Sequence, residues 1–130
     1  MVLKYSRQRE CIRKNLAGRH DHPTAEMVYS DVREELPRVS LGTVYRNLTL
    51  LAELGEARKL TVEGGADRFD GMPQPHYHFV CRKCGCVQNM PLPMVEDLNK
   101  KASKVFSGQV ESHDIVFYGT CAECLFKEEN

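Results

Sequence analysis

Three helical patterns followed by a glycine-turned hairpin, then a β-α-β pattern with a Cys-x-x-Cys pair at each end, predict an α+β fold of two small units. The first has the element order of a winged helix. The second is a small α/β unit closed by four cysteines. The chain of 130 residues suits this division and is too short for a large barrel or a doubly wound enzyme fold.

Ser6 is placed to cap a first helix reaching about Ala17, with Ile12 and Leu16 four apart on one face and Gly18 ending it. Thr24 caps the second, in which Ala25, Val28, Tyr29, Val32 and Leu36 recur at helical spacing until Pro37 stops it. Ser40 caps the third, whose stripe Leu41, Val44, Leu48, Leu51 faces inward, with Gly55 at its C-terminal end. Strands over 58–62 and 66–70 flank Glu63-Gly64-Gly65. Met72-Pro73-Gln74-Pro75 reads as a hinge, giving units 1–72 and 76–130 around a hinge at 73–75. Beyond it a strand containing Tyr77, Phe79 and Val80 leads into Cys81-x-x-Cys84, and a strand over 87–90 returns. A helix follows over 91–104, carried by Met94, Leu98 and Ala102. A strand over 110–118 ends the pattern before Cys121-x-x-Cys124.

Composition narrows the function. No apolar run is long enough to span a membrane, and Met1 to Ser6 carry no secretory core, so a cytoplasmic protein with no membrane partner is expected. In that compartment six cysteines point to metal or redox chemistry before disulfides. The net charge is zero, but residues 1–60 carry eleven Lys/Arg against eight Asp/Glu, and residues 61–130 carry seven against ten. A basic first half suits a nucleic-acid partner. The outward start of the third helix offers Gly42, Thr43, Arg46 and Asn47, with Tyr45 at its edge: small or polar groups and one arginine, as a major-groove reader needs. Arg58, Lys59 and Arg68 on the hairpin are placed to meet phosphate.

Two ligand constellations stand out. The pairs Cys81/Cys84 and Cys121/Cys124 supply four thiolates, enough to fill a tetrahedral zinc, so that site is structural. Two independent redox dithiols are the alternative. Cys86 reads as a strand residue beside the knuckle, and Cys11 as a core residue of the first helix. The second constellation is His76-x-His78, whose side chains share one face of a strand. Asp70, His22 and the His113-Asp114 pair flank it. A His/Asp set with open positions suits Fe(II), Mn(II) or Zn(II). No residue presents itself as a separate general acid or base, so an enzyme is not expected. A small metalloenzyme and a zinc-stapled interaction module without DNA are the readings from other classes.

The segments His22-Pro-Thr-Ala25, Ser40-Leu-Gly-Thr-Val-Tyr-Arg-Asn-Leu48, Arg68-Phe-Asp70, His76-x-His-Phe-x-Cys-x-x-Cys-Gly85 and Tyr118-Gly-x-Cys-x-x-Cys124 resemble the ferric uptake regulator family, and most of all its peroxide-responsive branch. The resemblance covers nearly the whole chain. It implies a homodimeric, metal-dependent repressor with a winged-helix DNA-binding domain and a C-terminal dimerisation and metal-binding domain, acting on palindromic double-stranded DNA. It further implies structural Zn2+ on Cys81, Cys84, Cys121 and Cys124, and regulatory Fe2+ or Mn2+ on His22, Asp70, His76 and His78. The implied DNA contacts are Tyr45, Arg46, Thr43 and Asn47, with Arg58 and Lys59 on the hairpin. The positions matching the peroxide-oxidised histidines are His22 and His76. Asn89 departs from the pattern, because the fifth ligand is normally acidic. A divalent ion with three neutral histidines and one aspartate then keeps a net positive charge. The same fold used as an iron, zinc or manganese sensor without histidine oxidation is the alternative. The extra site of iron-sensing members lacks two ligands here, with His113 at a remaining position.

Overall fold

The structure, a computed structural model, describes residues 6–72 and 74–129. Two compact units are present, Met1–Gln74 and Pro75–Asn130. Within the segment expected to be the hinge, Pro73 lies outside the described residues, as do Met1 to Tyr5.

The first unit begins with α1 (Arg7–Ala17), α2 (Ala25–Val32) and α3 (Leu41–Glu53). Each starts where a hydroxyl can take up a first-turn amide. Ser6 Oγ accepts from Arg9 N at 3.2 Å, Thr24 Oγ1 from Met27 N at 3.3 Å and Ser40 Oγ from Thr43 N at 3.1 Å. Their inward faces form one core of Ile12, Leu16, Val28, Val32, Val44, Leu48 and Leu51, into which Phe69 inserts. Phe69 belongs to the hairpin β1 (Arg58–Leu60) and β2 (Arg68–Asp70), where it pairs with Lys59. Its amide also donates to Pro23 O at 2.8 Å, tying the hairpin to the entry of α2. Gly55, at φ 76°, ends α3 in the left-handed conformation that glycine adopts without strain.

Three expectations for this unit need correction. α2 ends at Val32, not at Pro37. Glu35 N and Leu36 N both turn back to Val32 O, at 3.1 and 2.8 Å, because the residue before a proline is disfavoured in helical conformation. Leu36 is still buried, so its apolar spacing served the core without a helix. Leu41, read as part of the inward stripe, is 39% exposed at the first turn of α3. The hairpin strands are three residues each, and the segment between them is longer than the sequence suggested.

In the second unit β3 (Tyr77–Cys81) is the middle strand of a sheet ordered β4-β3-β5. It pairs antiparallel with β4 (Val87–Met90) and parallel with β5 (Val116–Gly119). The parallel pairing demands a crossover, and α4 (Leu98–Lys104) lies within it. The helix read over 91–104 is confined to its last half, because Pro91 and Pro93 hold the entry extended. The last strand begins at Val116, not at residue 110. A terminal helix, α5 (Ala122–Glu129), was not anticipated. The buried apolar set of this unit is small: Tyr77, Val80, Cys81, Val87 and Cys121. Leu92, Val105, Phe106, Leu125 and Phe126 are exposed. Among the described residues no helix is long and apolar enough to cross a membrane.

Candidate metal centres and nucleic-acid face

The knuckle between β3 and β4 brings Cys81 and Cys84 together. Gly85, at φ 78°, makes the reversal, and Cys81 N donates to Cys86 O at 3.0 Å. Because β5 runs parallel to β3, its end delivers Cys121 and the first turn of α5 beside that knuckle. Cys81 Sγ lies 3.8 Å from Cys124 Sγ, Cys84 Sγ lies 3.8 Å from Cys121 Sγ, and all four sulfurs fall within 4.8 Å of one another. A tetrahedron of ~2.3 Å zinc–sulfur bonds has sulfur–sulfur edges of about 3.8 Å, so the cluster fits a four-thiolate zinc. Backbone amides of Cys84 and Cys121 donate to Cys81 Sγ, each at 3.4 Å. They favour the thiolate and bring its pKa down to about 6. Cys121 is lowered as well, chiefly by the Cys124 amide, whereas Cys124 is pushed up to about 12 by the Cys121 sulfur beside it.

The other two cysteines are not members of this cluster, although Cys86 adjoins the Cys84 and Cys121 sulfurs. Cys86 sits one residue before β4, not on the strand. Its sulfur accepts from Gln88 Nε2 at 3.4 Å, and desolvation pushes it up to about 11. Cys11 packs half-buried against the first unit's core and donates to Glu35 Oε2 at 3.4 Å.

The histidine and aspartate candidates form a pair in the first unit and a trio in the second. In the first unit His22 Nε2 lies 3.2 Å from Asp70 Oδ2, and both residues are buried. Asp70 Oδ1 accepts from Met72 N at 2.9 Å, which fixes the carboxylate. His22 has φ 50°, the one non-glycine residue with positive φ among those described. Such a conformation is strained and tends to cluster at functional sites. Arg68 Nη1 donates to His22 O at 3.2 Å and holds that loop, so Arg68 braces the site. In the second unit His76 and His78 share one face of the β3 end, with ring centroids 4.3 Å apart. His78 pairs in register with Asn89 of β4, and His76 Nε2 is 2.9 Å from Asn89 Oδ1.

His113, a flanking ligand candidate, is engaged elsewhere. Tyr77 Oη accepts from Val95 N at 3.0 Å and is hydrogen-bonded to His113 Nε2 at 2.7 Å. His113 Nδ1 donates to Asn99 Oδ1 at 2.7 Å. Both ring nitrogens are spent on joining α4 to β3, and the residue precedes β5 instead of lying on it.

On the outer face of α3, Tyr45 and Arg46 are exposed, and Thr43 and Asn47 are half-buried. Arg46 Nη2 donates to Thr43 Oγ1 at 3.1 Å, and Asn47 Nδ2 to Thr43 O at 2.9 Å. Tyr45 meets Phe69 edge-on with centroids 6.0 Å apart, and its hydroxyl donates to Asp67 Oδ2 at 2.9 Å. Lys59 Nζ sits 4.7 Å from the Tyr45 ring centroid and 3.6 Å from Asp67 Oδ2. Sequence reasoning missed Asp67 altogether.

The ferric uptake regulator family profile matches residues 1–118. A peroxide-responsive repressor, PerR, of Staphylococcus epidermidis is 33% identical over 127 residues, spanning 98% of this chain and 83% of that protein. The ferric uptake regulator Fur of Helicobacter pylori, described as having three functional metal binding sites, superposes with a TM-score of 0.79 at 26% identity, over 95% of this chain and 83% of that one. The Campylobacter jejuni peroxide stress regulator gives 0.74 at 29% identity, over 90% and 88%. With a three-helix and hairpin unit followed by a small sheet unit bearing a four-cysteine cluster, the chain belongs to the ferric uptake regulator family of metal-responsive regulators.

Proposed function

We propose that this chain is a dimeric, metal-dependent repressor that binds a palindromic duplex operator and releases it on exposure to peroxide. The observation that carries the reading is the presence of two chemically distinct donor sets in one small chain. One is all sulfur and fits a permanent Zn2+ on Cys81, Cys84, Cys121 and Cys124. The other is nitrogen and oxygen, on His22 and Asp70 and on His76 and His78, a set suited to an exchangeable Fe2+ or Mn2+. Ligation of one ion by both pairs would couple the recognition helix to metal occupancy, a two-state device that metal biases. Bound Fe(II) would supply the chemistry that splits the O–O bond of hydrogen peroxide, the two-electron oxidant, so that one oxygen leaves as water with the displaced ring hydrogen and the other stays on the ring. His22 and His76 offer the imidazole carbons on which the resulting oxygen would be fixed. Asp70, locked by the Met72 amide, keeps its charge on His22 throughout.

Support for the DNA partner comes from Tyr45 and Arg46, exposed on a helix whose other face is core. Lys59 on β1 stands beside Tyr45, and Arg58 precedes it on the same strand, both offered for phosphate. The exposed Val105, Phe106 and Phe126 give the second unit an apolar surface suited to a second copy of the chain. A sensor of metal availability without histidine oxidation is the second reading. Asn89 favours it, because an amide oxygen next to His76 brings no charge to the ion.

Replacing Arg46 with Ala tests the DNA-reading face. Gel-shift titration of the Mn(II)-loaded protein against its operator should show affinity falling by about 5- to 150-fold, the loss of ~1–3 kcal/mol expected for one base-reading side chain. Circular dichroism should be unchanged, since Arg46 is exposed. Wild-type affinity in the variant would remove α3 from the interface.

A further inference from the structure

We infer that Asp67, in the segment leading into β2, is a built-in counter-ion that holds Tyr45 and Lys59 against each other and competes with DNA for both, setting how tightly this face binds a duplex. The inference rests on the DNA-binding reading above and goes beyond it. One carboxylate oxygen, Asp67 Oδ2, accepts from the Tyr45 hydroxyl at 2.9 Å and lies 3.6 Å from Lys59 Nζ. Lys59 closes the triangle by lying 4.7 Å from the Tyr45 ring centroid, with Thr49 Oγ1 at 3.5 Å as a further partner. These residues come from α3, β1 and the segment leading into β2, so the triangle joins the recognition helix to the hairpin.

The chemistry opposes DNA binding. A phosphate that approaches Lys59 also approaches a carboxylate of its own sign, and must displace it to gain a full ion pair. The Tyr45 hydroxyl, while given to Asp67, has no proton to offer a base edge or a phosphate oxygen. Random duplex supplies phosphate alone and recovers only the first of these losses. A cognate sequence that also engages Tyr45 recovers both. These contacts belong to the free protein and are given up to either duplex, so Asp67 lowers affinity for both, and only a sequence that engages Tyr45 recovers the whole cost.

The test uses Asp67→Asn in the full-length, zinc- and Mn(II)-loaded protein. The amide keeps the shape and an acceptor for Tyr45, and removes the charge. Anisotropy titrations compare a palindromic duplex selected from a random library by the wild-type protein with a mixed-sequence duplex of equal length. The expected result is about five-fold tighter binding of the mixed-sequence duplex, and a log–log salt slope steeper by about one phosphate's worth, ~0.9. Operator affinity should tighten by a similar factor. Lys59→Gln in the Asp67→Asn background should return the slope to the wild-type value. Equal mixed-sequence affinity and equal slope in wild type and Asp67→Asn would overturn the inference while leaving DNA binding intact. If the wild-type protein selects no duplex and binds neither, the DNA-binding reading fails and the inference falls with it. Should Asp67→Asn not fold, Tyr45→Phe measures the other arm. Mixed-sequence affinity must then hold or rise, because the bond to Asp67 no longer has to be given up, and equal loss on both duplexes would also overturn the inference.

Discussion

Cys81→Ser should abolish tight zinc binding and unfold the second unit while leaving the helices of the first in place. Cys81 is fully buried, and it gathers two backbone amides on its sulfur as well as facing Cys124. The second unit has few other means of holding itself together. Of its buried apolar side chains, two are themselves zinc-cluster cysteines. A unit this small is marginal on hydrophobic burial alone, whereas four-thiolate zinc contributes on the order of 10–16 kcal/mol in small metal-folded domains. Serine offers an alcohol that does not ionise near neutral pH, so the four-sulfur sphere is broken. Zinc content measured after gel filtration should fall from one tight ion per chain to none. The thermal transition of the sheet unit should disappear from circular dichroism. Cys86→Ser is the control and should keep its zinc, because Cys86 lies outside the cluster. Full zinc occupancy with a wild-type melt in Cys81→Ser would show that the cluster does not staple the fold.

His76→Ala should weaken Mn(II) binding by at least ~100-fold, more than the 10–100-fold typical of losing an outer-shell partner, and should remove metal-stimulated DNA binding. The reverse change is Asn89→Asp. With three neutral histidines and Asp70, a divalent ion retains one positive charge, and a carboxylate at position 89 cancels it. The side chain already lies 2.9 Å from His76 Nε2, so no rearrangement of β4 is needed for the aspartate to reach the same neighbourhood. Mn(II) titration should show tightening of about ten-fold or more in Asn89→Asp. Unchanged affinity in both variants would place the regulatory ion elsewhere. These losses leave the zinc cluster untouched, so zinc content should remain at its wild-type value.

Much of this architecture is legible in the sequence because local chemistry determines it. Ser6, Thr24 and Ser40 each precede a helix and each accept the amide three residues on, as hydroxyl caps do. Two Cys-x-x-Cys pairs specify a cluster whatever fold lies between them. His76 and His78 share a face because strand side chains alternate. The misreadings arise where tertiary context decides. Leu36 keeps helical spacing but reaches the core from a turn, since Pro37 denies it a helix. Leu41 keeps the stripe's spacing but sits at the exposed first turn. His113 looks like a ligand until Tyr77 and Asn99, distant in sequence, take both its nitrogens. Of the second constellation's partners, Asp70 is read from its place just before the hinge, whereas Asn89 carries no local signal and enters only through family resemblance. Asp67 was invisible because its contact with Tyr45 spans 22 residues and obeys no periodicity. The terminal helix was hidden by its own composition: Leu125 and Phe126 are exposed and make no inward stripe, so only the cysteines drew notice.

The most direct measurement is DNA binding by the zinc-loaded protein without regulatory metal, with Mn(II) and with Fe(II), each before and after hydrogen peroxide, followed by mass spectrometry of the peptides carrying His22 and His76. The account predicts no operator binding without regulatory metal and binding with either ion. Peroxide should abolish binding in the Fe(II) form alone, with one added oxygen on His22 or His76. Equal binding with and without regulatory metal, and unmodified histidines after peroxide, would contradict it.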